Sequence, residues 1–464
     1  MPTGDHDDLA QREPPSGSVA LRPPLRVTTC GAVDDGKSTL IGRLLFDTRS
    51  VPRDQLEAIE RASRARGQSE PDLSLLTDGL RAEREQGITI DVAYRYFGTP
   101  RRRFIVADAP GHAQYTRNMA TAASVADLAI LLVDARNGIT HQTRRHALIA
   151  TLMRVPSVVL AVNKLDAIED PQAVFERVCS AFAELMPADV RAIAPPDIRA
   201  RFKTIPISAL RGDNVVRRSG ATGDGPAPRG STLGWYTGPT LLELLENAEP
   251  RAARAMPLRL QVTAVIRPGD GAIAGTGVQA RAYGVFILEG RVSVGQEVVI
   301  LPSGRRSRVA SLGLYERSLT YADAPRAVTL TLEHEIDVAR GDFIADADRP
   351  PEASSSIEAD VVWFDRNPLV SGARLIVKQG ARSVRAIVER VAHRHDPNQG
   401  AVRLESDAAS ELAENDVGRV WLKTSAPLVF DVYERSRAMG SFILIDRTST
   451  DTVGGGMILQ GGVA

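Results

Sequence analysis

Eight consecutive residues, Gly31-Ala32-Val33-Asp34-Asp35-Gly36-Lys37-Ser38, have the types and spacing needed to hold a phosphate chain. They fit the pattern G-x-x-x-x-G-K-[ST] and lie between an apolar run at 25–30 and a helical pattern at 39–45. A strand, a glycine-bearing loop and a helix in that order let successive backbone N–H groups and the helix N-terminus converge on a di- or triphosphate. Lys37 is placed to reach the β- and γ-phosphates, and the Ser38 hydroxyl to ligate Mg²⁺, with Thr39 completing the nucleotide-contacting run. A glycine-rich turn that matches by chance is the bland alternative, and the strand–loop–helix context weighs against it.

A second constellation addresses the base. Asn163-Lys164-Leu165-Asp166 follows the apolar run 158–162 and fits N-K-x-D. A carboxylate at Asp166 accepts from both the N1–H and the 2-amino group of guanine, donors that adenine lacks. Asn163 serves the N7/O6 edge, and the Lys164 stem lies over the ring face. A base without those donors leaves a buried carboxylate unpaired, which discriminates by a factor of about 10⁴. Ser208-Ala209-Leu210, after the apolar residues 204–207, adds a backbone N–H near the guanine oxygen. The expected ligand is GTP or GDP with Mg²⁺.

A third constellation addresses the reaction. Asp108-Ala109-Pro110-Gly111-His112 ends the apolar run 104–106 and fits D-x-P-G-H. Asp108 is placed to hold Mg²⁺ through water, the Gly111 amide to sense the γ-phosphate, and His112 to orient the attacking water. A turn histidine is the bland reading of His112. Between this site and the phosphate loop lies Arg84-Glu85-Gln86-Gly87-Ile88-Thr89-Ile90. Its Gly-Ile-Thr is similar to the first switch of translation-type GTPases, so Thr89 is expected to join the Mg²⁺ shell when a γ-phosphate is present. A strand threonine among β-branched neighbours is the alternative.

The elements that must position these groups are legible as short apolar runs. Residues 25–30, 104–107, 128–133, 158–162 and 204–207 read as buried parallel strands, with helical patterns at 140–152 and 173–185 between them. The motifs sit beyond the carboxyl ends of these strands, where ligands bind in such sheets. The reading is an α/β P-loop GTPase domain at 25–248, preceded by a disordered tail at 1–24. The stretch 217–231 has a flexible-loop composition, and an amphipathic helix follows at 241–245. From residue 258 the pattern changes to short alternating strands with Gly and Pro turns, expected to form one β-barrel at 257–347 and a second at 357–464.

Composition bounds the partners. The 464 residues carry 57 Lys+Arg and 57 Asp+Glu, a net charge of zero, which argues against extensive binding to a nucleic-acid backbone. The most basic stretch, 382–395, is read as the solvated side of an alternating strand, ahead of a nucleic-acid or partner face. His393 and His395 lack the Cys or second His pair that a transition-metal site needs. Two cysteines, Cys30 and Cys179, are too few for a disulfide framework, in keeping with a reducing, cytoplasmic setting. No apolar run approaches the length of a membrane span, and the first 24 residues lack the apolar core of a signal peptide.

Longer stretches narrow the family. VDDGKSTLIGRLLFDTRSV, LLTDGLRAEREQGITIDVAYRYF, DAPGHAQYTRNMATAASVADLAILLVDARNGI with its following QTRRH, ISALRGDNVV, WYTGPTLLELLE, EHEIDVARGD and GSFILIDRTSTDTVGGGM together resemble the GTPase (large) subunit of bacterial sulfate adenylyltransferase, within the translation factor-type GTPases. The resemblance covers about residues 25–460. It implies a three-domain architecture of the translation-factor kind, and a separate small subunit that joins ATP and sulfate into adenosine 5′-phosphosulfate and diphosphate. This chain would hydrolyse GTP and couple that energy to the transfer, as one half of a heterodimer or larger assembly.

Departures from the family pattern are local. Ala109 stands where Thr is usual, the loop at 217–231 is longer, and the segment 270–284 differs, which bears on contacts made by the first barrel. Some relatives carry a fused adenylylsulfate kinase, and no second G-x-x-x-x-G-K-[ST] follows in this sequence, so that activity is not expected. Two other classes stay in view: an elongation factor delivering aminoacyl-tRNA, and an adaptor that binds GTP without turning it over. Zero net charge weighs against the first, and the presence of Thr89, Asp108 and His112 against the second.

Overall fold

Five parallel strands and one antiparallel edge strand make the sheet on which the motifs sit. In chain order they are β1 (Arg22–Cys30), β2 (Ala93–Gly98), β3 (Arg102–Asp108), β4 (Leu128–Asp134), β5 (Ser157–Asn163) and β6 (Phe202–Pro206), arranged β2-β3-β1-β4-β5-β6. The computed structural model describes residues 22–65, 67, 71–76, 91–185, 202–219, 233–250, 256–267, 281–315, 317–395 and 411–462. Of the tail expected at 1–24, residues 1–21 lie outside the described residues, whereas Arg22, Pro23 and Pro24 open β1. Thr89 with its neighbours Gly87 and Ile88, most of the 217–231 loop, residues 270–280 of the 270–284 segment and the expected strand at 401–406 also lie outside them.

Every residue of β4 is buried and all but the first of β5, so both faces of the sheet are covered by apolar clusters. Register places the chemistry: Thr29 of β1 pairs with Asp108 of β3, and Asp134 of β4 pairs with Asn163 of β5. The motifs are therefore neighbours because their strands end at one level. Strand β2 is antiparallel to β3 and exposes Tyr94 and Tyr96, so it reads as an alternating edge rather than as one of the continuous apolar runs of the parallel core.

Local chemistry sets the helix starts. The helix Lys37–Asp47 begins after Gly36, whose φ of 95° is a left-handed conformation that glycine adopts freely. The helix His141–Leu152 begins at a capping box between Thr140 and Thr143, and Leu241–Asn247 at one between Thr240 and Glu243.

Two closed barrels follow the α/β domain. The first runs Glu297–Leu301, Phe343–Asp346, Arg259–Ile266, Ala282–Glu289, Arg326–Leu332, Arg305–Leu314 and closes by pairing of the last with the first. The second runs Glu352–Trp363, Val417–Phe430, Arg382–His395, Arg374–Gln379, Ser441–Asp446, Thr452–Gly461 and closes the same way. In the basic strand Arg382–His395 buried and outward residues largely alternate, and its buried His395 lies 3.3 Å from the Asp360 carboxylate. Among the described residues, no helix is long and apolar enough to cross a membrane.

Polar joints fix the three units together. Arg259 and Asp431, both buried, form a two-point ion pair between the barrels at 2.7 and 3.2 Å. Arg437 of the second barrel donates to the backbone oxygens of Ser124, Ala126 and Arg154 in the α/β domain, and the Tyr433 hydroxyl donates to Met153 O at 3.2 Å. The apolar core continues through this joint, with Val362, Val417, Tyr433 and Met457 packed into the cluster beneath β4 and β5.

Candidate functional site

The phosphate loop wraps the end of a lysine. Lys37 is buried, and its Nζ donates to Gly31 O at 3.1 Å and Ala32 O at 2.8 Å. Burial lowers the pKa of this ammonium, with Asp108 the leading opposing influence. Asp34 and Gly36 both have positive φ, 68° and 95°, which turns the loop back over the helix N-terminus. Val33 and Asp34 stand exposed at the tip, and Thr39 lies half-buried in the first turn of the helix.

Asp35, the residue before Gly36, behaves differently from its exposed neighbour. Its carboxylate is buried and accepts Ala32 N–H at 2.5 Å and Asp134 N–H at 3.4 Å. Burial raises its pKa against the pull of those bonds and of Lys37. The side chain thus ties the loop to the end of β4.

The hydrolysis motif meets the phosphate loop at Asp108. Its carboxylate is buried, accepts Thr29 Oγ1–H at 3.1 Å, and lies 3.5 Å from the Ser38 hydroxyl. Burial raises its pKa, while Lys37, Thr29 and Ser38 oppose that rise. A serine hydroxyl beside a carboxylate at the mouth of a phosphate loop is the hard oxygen donor set that suits Mg²⁺. Gly111 is pressed against Lys37 Nζ and Gly31 O so closely that any Cβ there would overlap both. Ala109 is buried, whereas His112 is exposed and stacks edge-on to Tyr115 with ring centroids 6.4 Å apart.

The base-binding motifs are joined to the phosphate loop by hydrogen bonds. Asn163 is buried; its Nδ2 donates to Asp35 O at 2.8 Å and its Oδ1 accepts Ala209 N–H at 2.9 Å. One side chain therefore spans the phosphate loop, the N-K-x-D loop and the Ser208–Leu210 loop. Lys164, in a left-handed conformation with φ 64°, donates to Asp34 O and pairs with Asp134 Oδ2 at 3.0 Å. Leu165 is fully buried, and the half-buried Asp166 carboxylate lies 3.6 Å from Arg211 Nε. Ser208 accepts Arg211 N–H at 3.1 Å, and Leu210 is exposed.

Three further residues belong to this network and do not stand in any of the motifs. His146 Nδ1 accepts Gly31 N–H at 3.0 Å, and Arg43 donates to Ala209 O at 3.2 Å and to Leu210 O. Asp134 receives Arg136 and Lys164 together. Each sits in a stretch quoted for the family resemblance, QTRRH, IGRLL and DARNG, but a residue 115 positions from Gly31 carries no local signal that it reaches the phosphate loop. Every motif residue within the described part of the chain is thus brought to one edge of the sheet, while Thr89 lies outside it.

The chain is similar to known proteins over most of its length. Residues 23–251 match the family model described as elongation factor Tu GTP binding domain, and residues 356–459 match the GTP-eEF1A C-terminal domain-like model. The bifunctional enzyme NodQ of Azospirillum brasilense is 48% identical over 438 residues, which cover 94% of this chain and 66% of that protein. Sulfate adenylyltransferase subunit 1 of Yersinia enterocolitica is 46% identical over 442 residues, and that of Shewanella woodyi 44% over 436; each match covers 94% of this chain and 86% of the relative.

Proposed function

Because this chain belongs to the sulfate adenylyltransferase subunit 1 family, built on the elongation factor Tu GTP-binding domain, we propose that it is the GTP-hydrolysing subunit of a two-subunit sulfate adenylyltransferase. A partner subunit makes adenosine 5′-phosphosulfate and diphosphate from ATP and sulfate, in the cytoplasm, and GTP hydrolysis here drives that unfavourable transfer. The observation that carries the reading is the side chain of Asn163, which binds the phosphate loop at Asp35 and the Ser208–Leu210 loop at Ala209. That arrangement supports a site for a phosphorylated guanine nucleoside.

Roles follow from position. Lys37 and the loop amides bind the phosphates, Asp166 and Ala209 N–H read the guanine edge, and the Lys164 stem covers its face. Ser38 and Asp108, with Thr89 from the first switch, would hold Mg²⁺, which neutralises charge on the β- and γ-phosphate oxygens. Gly111 N–H donates to the γ-phosphate. His112, exposed at the mouth of the site, orients the water that attacks the γ-phosphorus in line with the departing GDP oxygen. Burial of Lys37 and Asp108 strengthens their interactions with charge that develops there.

Coupling requires that the GTP and GDP states bind the partner with different affinity. The test is GTP turnover by the purified chain alone, then with the small adenylyltransferase subunit, ATP and sulfate. Slow turnover alone with a sharp rise only in the full mixture is the expected result. No response to the partner, with stimulation by ribosomes or tRNA instead, would replace this reading with an elongation factor.

A further inference from the structure

A buried carboxylate lies just outside the nucleotide motifs and touches one of them. Asp134 ends β4 directly opposite Asn163 of β5. Its side chain is buried, yet two cations converge on it: Arg136 at 2.5 to 3.2 Å through Nε and Nη2, and Lys164 Nζ at 3.0 Å. Its Oδ1 also accepts Arg136 N–H at 2.9 Å. Burial pushes this carboxyl upward, but the bonds from Arg136 and Lys164 outweigh it and hold the pKa down to about 2. The group is therefore an anion at neutral pH.

We propose that Asp134 is a positioning residue for the guanine base: it fixes the Lys164 ammonium so that the Lys164 stem stands as a preset shelf beside the phosphate loop. This deepens the guanine-nucleotide reading and rests on it. A lysine side chain has several rotatable bonds and loses conformational freedom when it is ordered against a ligand. Here the Nζ is already pinned at two points, Asp134 Oδ2 and Asp34 O. The same Asp134 gives its backbone N–H to Asp35. Phosphate loop and base shelf are thus anchored on one residue, and a ligand that spans both meets them at a set separation. Arg136 is largely exposed and screens the outer side of the carboxylate, so Lys164 alone links it to the ligand.

The role differs from that of Asp166. Asp166 reads which base is present, whereas a preset shelf favours any purine nucleotide placed on it. Removing Asp134 should weaken GTP and GDP alike by about tenfold to a hundredfold, as loss of a charge-assisted bond does. It should leave the ratio of GDP to IDP affinity unchanged.

The experiment measures GDP and IDP binding by calorimetry on the full chain for wild type, Asp134→Asn, Lys164→Met and the double variant. Asp134→Asn keeps the shape of the buried side chain, and Asp134→Ser is a second replacement should the first misfold; circular dichroism and thermal melting without nucleotide report folding. The expected result is non-additivity, with the double variant no weaker than Lys164→Met alone. A double variant that loses the product of the two single effects overturns the proposal, because Asp134 then acts without Lys164. A changed GDP/IDP ratio in Asp134→Asn also overturns it. If wild type binds neither GDP nor GTP, the guanine-nucleotide reading itself fails and takes the proposal with it.

Discussion

Gly31 donates its backbone N–H to Nδ1 of the buried His146 at 3.0 Å, so the first residue of the phosphate loop is held by an imidazole from a helix 115 residues further along the chain. The other ring nitrogen meets the Gln142 side chain at 2.9 Å. Accepting through Nδ1 requires the neutral ring with its proton on Nε2, and burial, with the Lys37 and Arg145 charges, lowers the pKa to about 3.

That shift has a definite sign. The unfolded chain takes up a proton on this histidine near pH 6.5, and the native protein does not until about pH 3. His146 leaves stability unchanged above the higher value and lowers it progressively as pH falls toward the lower one, with a slope approaching about 1.4 kcal/mol per pH unit. His146→Asn keeps an acceptor for Gly31 and removes the titration. Urea unfolding of the variant between those pH values should show a flatter acid limb than wild type. His393, held down to about 4 by burial and by its neighbours His395 and Arg419, contributes a slope of the same sign to both proteins. Equal slopes would assign the acid sensitivity to other groups.

His112 is exposed, and its part in the proposed reaction is to orient water rather than to bind phosphate. His112→Ala should keep GTP affinity within about twofold and lower turnover on the order of 100-fold. Single-turnover hydrolysis with separately measured binding decides it; an unchanged rate would require a different water-positioning group.

Asp166 sits at the rim of the base loop with Arg211 beside it. Asp166→Asn replaces one acceptor by a donor and should shift preference from guanine toward xanthine nucleotides by about a hundredfold or more. Competition between GDP and XDP on wild type and variant measures this directly. An unaltered ratio would remove Asp166 from base recognition.

Arg259 and Asp431 join the two barrels as a buried pair. Asp431→Ala leaves Arg259 charged with, among the described residues, the Leu258 and Arg349 carbonyls to meet it, and should destabilise the chain by about 3–5 kcal/mol. Thermal unfolding is the readout. A double replacement by apolar residues of similar volume should recover most of the loss.

The phosphate, base and hydrolysis motifs are legible because each is contiguous and follows the strand that positions it. The apolar runs ending at Cys30, Asp108 and Asn163 state where the sheet is and where its ligand edge lies. What the sequence hides is set by register and closure. Nothing near Asp134 says that it faces Asn163, because that pairing depends on how β4 and β5 align. Strand β2 carries no continuous apolar run because it is an alternating antiparallel edge. Short strands with turns announce two barrels, but the pairing of Glu352–Trp363 with Thr452–Gly461 that seals the second spans its whole length.

Arg437 grips the α/β domain by three main-chain oxygens, those of Ser124, Ala126 and Arg154, and Tyr433 takes a fourth at Met153. A joint made to carbonyl groups registers where two helix ends stand in space, and the Arg154–Glu434 ion pair at 3.7 Å adds one side-chain contact to it. Ala126 and Met153 are also buried in the core that Tyr433 enters, so these positions hold the joint by shape as well as by their carbonyls, and the helices must keep their length and pitch. A one-residue insertion ahead of Ala126 would rotate its carbonyl by about 100°, and the second barrel would lose that contact without any of its own residues having changed.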